Sequence, residues 1–342
     1  MSEPSLRPVS GTPREVLALL EPWLREGGEP IIIRTSGSTG AAKDVVLSQA
    51  AVMASAHAAL ERLGGPGQWL SAIPATGVGG LQVLVRSIVA GIKPVFDDEH
   101  DSIGAAISAM TGERRYASLV PTQLHRLADD LAVLAPLDAV LIGGAATPAT
   151  LLEQARDAGV TVIRTYGMSE TCGGCVYDGV PLDGVRMRVD DDHQVHLAGP
   201  VLFDGYGNAG RPTNVVDGWF ATDDLGEIEA GRLRVTGRSD DVIISGGVNI
   251  PLPAVTDVLR QHEGVGDAVA VGVPDEEWGS RVVAYLVPAD AVCLDGLRLD
   301  EVRDAVEAAG LPRTWAPREV VLVDALPLLP GGKVDRRSLR RH

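Results

Sequence analysis

Between residues 45 and 166 the chain sets short apolar runs rich in β-formers, WLSAIP, KPVFDD, YASLVP, LDAVLIGG and VTVIRTYG, between longer stretches of helical period. In SQAAVMASAHAALERLG the apolar Val52, Met53, Ala56, Ala59, Leu60 and Leu63 recur at helical spacing. Ser48 is placed to cap that helix and Gly64 to end it. Thr147 and Pro148 open TPATLLEQARDAG as N-cap and first helical residue. Such alternation predicts parallel strands joined by helices, a layered α/β domain.

Beyond Tyr166 the period changes. RMRVDDDHQVHLAG and GRLRVTGR alternate apolar and polar residues between turn signals, the pattern of antiparallel strands with one wet face. Near residue 238 the Gly- and Asp-dense GRSDDVIISGGVNIP marks a boundary. After it come a helix pattern (PLPAVTDVLRQH), two strands (DAVAVGV, RVVAYLV), a helix (LDEVRDAVEAAG) and a strand (REVVLVD). The expected organisation is an N-terminal domain over 1–238, ending in a β-rich subdomain, and a smaller α+β domain over 239–342.

Charge narrows the partners. A formal net charge of −16 over 342 residues argues against nucleic acid, whose phosphates are held by basic surfaces, so any bound anion must be met locally. The start, MSEPSLRPVSGTP, has no apolar core behind a basic segment, and no run approaches membrane-spanning length, so no membrane span and a cytoplasmic location are expected. Three cysteines, Cys172, Cys175 and Cys293, form no disulfide framework and fit a reducing compartment. Cys172 and Cys175 make a CxxC without a second pair or a nearby histidine, and read as small residues of a Gly-rich turn rather than zinc ligands.

The candidate chemistry begins at IIIRTSGSTGAAKDVVL, residues 31–47. Thr35, Ser36, Ser38 and Thr39 supply hydroxyls, Gly37 and Gly40 free the backbone N–H groups, and Lys43 adds one ammonium, a set suited to a polyphosphate. A Walker A loop is excluded by spacing, because two alanines separate Gly40 from Lys43 and Asp44 follows it. Taken alone, the loop fits a surface turn as well as a phosphate cradle.

It does not stand alone. TSGSTGAAK, TYGMSET (165–171), GWFATDDLG (218–226), GRSDDVIISGGVNI (237–250) and LPGGKVDR (329–336) resemble, in order, the motifs of the adenylate-forming superfamily of acyl- and aryl-CoA synthetases, adenylation domains and luciferases. Within it, YGMSETCGGCVYDGVPLDGVRMRV and the short chain are most similar to the o-succinylbenzoate-CoA ligases of actinobacterial type, enzymes of menaquinone biosynthesis. The resemblance implies a large layered α/β N-terminal domain, reduced at its start, with a mobile C-terminal domain. The activity it implies is ATP- and Mg²⁺-dependent: a carboxylic acid becomes an acyl-adenylate, which coenzyme A then attacks. Both half-reactions develop negative charge, so positioning and electrostatics should carry them.

The same resemblance distributes roles. Lys43 and Lys333 would be catalytic, and residues 35–40 would hold the triphosphate. Gly143, Gly144 and Ala145 would line the adenine, Tyr166 stack on it, Ser169 lie near phosphate, and Glu170 hold the metal. Asp224 would accept the ribose hydroxyls and Arg238 hold the nucleotide; Asp240 would be the hinge, with Gly246 and Gly247 beside the pantetheine arm. The departures are Ala42 and Asp44 around Lys43 in place of proline and glycine, and Gly77 where relatives carry a histidine or a bulky group. Asp44 is expected to turn away from the phosphates and pair with a base, and Asp223, in place of the usual glycine, to be an exposed turn residue. Arg86, Arg164, Arg186 and Arg188 are unranked candidates for a dicarboxylate substrate. Only thirty-four residues precede the loop, fewer than in relatives, which would leave a sheet edge for a second subunit and predicts a homodimer.

Overall fold

In the computed structural model, residues 3–35, 43–207, 212–289, 297–328 and 334–340 are described. The chain divides into two compact units. The first comprises 1–190, 195–222 and 228–234, the second 191–194, 223–227 and 235–342.

The first unit is built on a seven-stranded sheet. Strands Gln68–Ser71, Val95–Phe96, Arg115–Leu119, Ala139–Ile142 and Val162–Met168 run parallel, and Gly173–Tyr177 turns back antiparallel to the last of them. These are the runs expected as strands, and the sheet is buried on both faces. Leu70, Ala117, Val140 and Val162 pack with Ile107, Leu124 and Leu152 on one side. Their neighbours in sequence, Trp69, Tyr116 and Leu141, pack with Ala59, Leu60 and Val83 on the other. Period two in the strands thus feeds two separate cores.

Local chemistry sets the helix ends. Ser48 accepts the Ala51 N–H and caps helix Gln49–Arg62. Past the end of that helix Gly64 sits at φ +86, where Gly65 N–H returns to Leu60 C=O at 2.8 Å, a glycine stop of the Schellman kind. Helix Ala149–Asp157 begins one residue later than expected: Pro148 is its cap, at ψ 135, and Thr147 does not cap it. A proline at the cap leaves no side-chain acceptor, so the helix start rests on backbone geometry alone.

The wet-faced strands follow as expected. Arg186–Val189 pairs antiparallel with Gln194–Ala198 in a five-stranded sheet that also holds Trp219–Glu229 and Arg232–Arg238. In the second unit, strands Val265–Asp275, Gly279–Pro288 and Glu319–Leu322 form a three-stranded sheet, packed on helices Leu252–Gln261 and Leu299–Ala308 through Leu252, Val255, Leu259, Ala284 and Val302. Among the described residues no helix is long and apolar enough to cross a membrane.

Candidate active site

In the first unit the strands that flank the glycine motif belong to a three-stranded antiparallel sheet: Ile31–Thr35 pairs with Lys43–Leu47, which pairs with Gly205–Tyr206. Ser36, Gly37, Ser38, Thr39 and Gly40 lie outside the described residues; Thr35 and Lys43, on either side, are opposed across the pair. The register also opposes Arg34 to Asp44 and Tyr206 to Val45. Side chains alternate along a strand, so Lys43, Val45 and Tyr206 share one face and Arg34 and Asp44 the other. Asp44 therefore points away from Lys43. Arg34 Nε and Nη2 donate to its two oxygens at 2.7 and 2.9 Å, and this fork holds the Asp44 carboxyl below its ordinary range.

Glu170 belongs to the turn Ser169–Thr171, which closes strand Val162–Met168 against Gly173–Tyr177. Thr171 locks the turn: its hydroxyl accepts from Met168 N–H at 2.9 Å and donates to Gly173 C=O at 2.8 Å. Ser169 and Glu170 are buried there, the latter 7% exposed. The Tyr206 hydroxyl donates to Glu170 Oε1 at 2.8 Å, and Lys43 Nζ stands 5.9 Å from the centroid of the same ring. Fold and sequence together thus bring Glu170 and Lys43 to one aromatic ring, which the motifs did not flag. The signal was faint: an aromatic between glycines in FDGYG, carried by a strand two residues long.

Gly143, Gly144 and Tyr166 stand at the carboxyl ends of parallel strands, where open α/β sheets bind ligands. Gly144 adopts φ +87 and is exposed with Ala145, while Tyr166 is half-buried opposite Val176. Gly77 caps helix Val78–Ala90 without a side-chain bond.

The arginine candidates separate sharply. Arg164 pairs with Asp178 at 3.3 Å on the surface, and exposed Arg186 and Arg188 stack over Trp219 at 5.0 and 4.4 Å. Arg86 is 6% exposed, 4.3 Å over the Trp69 ring, with Nε donating to Gln82 C=O and Nη1 buried without a partner among the described residues. Burial pulls its pKa down. Such a group is costly to bury unless an anion completes it.

In the second unit Arg238 Nη1 donates to Asp224 Oδ1 at 3.0 Å, and Nη2 to Asp223 Oδ2 at 3.3 Å. The two nucleotide candidates are therefore partners. Asp223 departs from expectation: it lies inside strand Trp219–Glu229, shares Arg238, and accepts Ser239 Oγ through its carbonyl, because a strand residue beside an arginine is recruited where a free turn residue would not be. Asp240 is central in the turn Ser239–Asp241. Gly246 and Gly247, at φ +56 and +81, form the two-residue loop of the hairpin Val242–Ser245/Val248–Pro251. A Cβ on Gly246 would meet the Trp278 ring at 2.6 Å, and Arg318 covers that ring at 3.6 Å. Lys333 lies outside the described residues, next to Val334, which bridges Leu328.

Magnesium, implied by the motifs, needs one or two carboxylates plus phosphate and water oxygens. Glu170 fits that role: it is a carboxylate anchored through one oxygen, and among the described residues no group of three or more His, Cys, Asp or Glu forms an all-protein cage. Cys172 and Cys175 are buried free thiols, and burial pushes Cys175 up to about 12 and Cys172 higher still, so neither is a ready thiolate.

Against known proteins, the model of the AMP-binding enzyme family matches residues 24–209, and that of the AMP-binding enzyme C-terminal domain matches 254–333. The chain is 45% identical over 329 residues to the probable 2-succinylbenzoate–CoA ligase of Mycobacterium tuberculosis, covering 91% of this chain and 84% of that one. It superposes on the o-succinylbenzoate CoA synthetase of Bacillus subtilis in complex with its acyl-adenylate intermediate, with a TM-score of 0.77, 28% identity, and 90% and 68% of the two chains covered. The same enzyme in complex with ATP and magnesium ion gives a TM-score of 0.76 at 28% identity, with 90% and 69% covered. With both domain models matched and the buried Glu170 turn beside the lysine strand, this chain belongs to the AMP-binding, adenylate-forming enzyme family.

Proposed function

We propose that the protein is an ATP-dependent acid–thiol ligase that activates 2-succinylbenzoate as its acyl-adenylate and transfers it to coenzyme A. The observation that carries the reading is the meeting of Glu170 and Lys43 at Tyr206, a buried carboxylate and an ammonium that follows the glycine motif in sequence. The sequence lends support: only three of its thirty basic residues are lysines, and two of those are Lys43 and Lys333, in the two glycine-rich motifs. Apart from Lys93 the chain elsewhere uses arginine, so a compact ammonium at these positions answers a need the broad guanidinium does not meet.

In this reading Lys43 and the loop hydroxyls orient the triphosphate, and Glu170 holds Mg²⁺, which when bound neutralises phosphate charge. Lys333 stabilises the charge that develops as the carboxylate attacks the α-phosphorus. Asp224 accepts the ribose hydroxyls from its fixed place under Arg238. We assign Arg86 to the second carboxyl group of the dicarboxylate, a contact that requires the packing around its enclosed N–H to open on binding. The C-terminal domain, from about residue 239, turns about Asp240 between the half-reactions and brings Gly246 and Gly247 to the pantetheine arm. The proposal includes a homodimer in the cytoplasm; a monomeric mass by light scattering would remove the former.

Release of AMP with ATP and CoA, followed over a panel of acids, tests the substrate. The expected result is turnover with 2-succinylbenzoate far above benzoate, succinate or medium-chain fatty acids. Equal or better turnover of a monocarboxylate would assign the chain to another aryl- or acyl-CoA ligase.

A further inference from the structure

We propose that Tyr206 is a positioning residue that orients the metal carboxylate and the phosphate lysine from a single side chain. The inference rests on the roles given above to Glu170 and Lys43. Its hydroxyl takes up Glu170 Oε1 at 2.8 Å, which fixes the carboxylate rotor and leaves the second oxygen to meet a hard cation. The opposite surface of the residue serves the lysine: Lys43 Nζ lies 5.9 Å from the ring centroid, within reach of the π face.

The backbone explains why one residue can serve both. Phe203 N–H donates to Glu170 C=O at 3.0 Å, Asp204 N–H to Val46 C=O at 2.9 Å, and Gly207 N–H to Asp44 C=O at 2.7 Å. Segment 203–207 is therefore bonded to the Glu170 turn at one end and to the lysine strand along the other. The register Tyr206 to Val45 then places the ring on the face that carries Lys43. Phe203 meets the Tyr206 ring edge-on at 4.9 Å and Phe220 at 5.3 Å, so the ring is backed by a fixed aromatic stack. A residue that only filled space would need neither the hydroxyl on the carboxylate nor the ring toward the ammonium.

The test uses the full chain without any carboxylic acid, so that no turnover occurs, and measures two affinities. Binding of ATP without metal is followed by calorimetry, and binding of Mn²⁺ at saturating ATP by electron paramagnetic resonance. Tyr206→Phe keeps the ring and is expected to weaken Mn²⁺ by about tenfold to a hundredfold, the usual cost of losing such a partner, with metal-free ATP affinity unchanged. Glu170→Gln should weaken Mn²⁺ at least as much, and the double variant no further. Tyr206→Leu, which removes the ring as well, should also weaken metal-free ATP. Native Mn²⁺ affinity in Tyr206→Phe beside a weakened Glu170→Gln would overturn the inference alone, as would additive losses in the double variant. Unchanged metal-free ATP affinity in Tyr206→Leu would overturn the lysine arm. Native Mn²⁺ affinity in Glu170→Gln would remove the metal role of Glu170 and the inference with it. Matching melting temperatures of Tyr206→Phe and the native chain guard against a folding effect.

Discussion

The two units hold their functional groups in different ways. In the first, Glu170 sits at 7% exposure in a turn locked by Thr171 and bonded to segment 203–207. In the second, Asp224 is as buried as Glu170, but its partner Arg238 has a side chain 38% exposed, Asp223 beside it 45%, and the Gly246–Gly247 loop is a two-residue hairpin beside the 63%-exposed Ile244. Rigid burial suits groups that must meet a polyphosphate in one geometry, since preorganised charges cost no rearrangement during reaction. Exposed groups on short hairpins suit contacts that are made and released in turn. The contrast predicts that damage to the first unit strikes adenylation, while damage to the second divides the half-reactions.

The largest expected effect is the cleanest break of that contrast. Lys333→Ala should abolish adenylate formation while a preformed acyl-adenylate still passes to CoA in a single-turnover assay; equal loss of both steps would erase the division of labour. Next comes Arg86→Met, which should raise KM for 2-succinylbenzoate by roughly tenfold to a hundredfold, the worth of a charge-assisted hydrogen bond, and leave KM for ATP alone. An unchanged KM would return Arg86 to a purely structural role. Gly246→Ala probes the second unit: the left-handed φ and the Trp278 contact should cost roughly 1–3 kcal/mol of that unit's stability and slow thioester formation before adenylation. Ser48→Ala, remote from the chemistry, should cost about 1 kcal/mol in denaturant unfolding without shifting either half-reaction.

The smallest effect is one of pH. Asp44 has a lowered folded pKa beside Arg34, so its contribution is complete above the unfolded value and is lost as pH falls through the folded value. Asp44→Asn should therefore lower the melting temperature slightly at neutral pH and converge with the native chain in acid. A gap that widens in acid would contradict the pairing.

Much of the fold was legible because its determinants are local. The parallel runs, the Ser48 cap and the Gly64 stop each follow from residue type over a few positions, and the structure shows all three. What stayed hidden depends on register across the chain. A two-residue strand such as Gly205–Tyr206 has no period to read, so its pairing with Val45 and its reach to Glu170 arise only on folding. Arg86 was one of four arginines until burial separated it from the surface pairs of Arg164, Arg186 and Arg188. Thr147 lost its capping role to Pro148 by one residue, the scale on which helix ends are weakly encoded. Asp223 was misjudged because its partner Arg238 stands on the next strand.

The central claim is that this chain forms an acyl-adenylate from 2-succinylbenzoate through the buried set in its first unit. Exchange of labelled pyrophosphate into ATP, with CoA withheld, measures that step alone. The account predicts exchange that requires 2-succinylbenzoate and magnesium and falls to background in Glu170→Gln and in Lys43→Ala. Exchange that persists in both variants, or none with any carboxylic acid in the native chain, would contradict it.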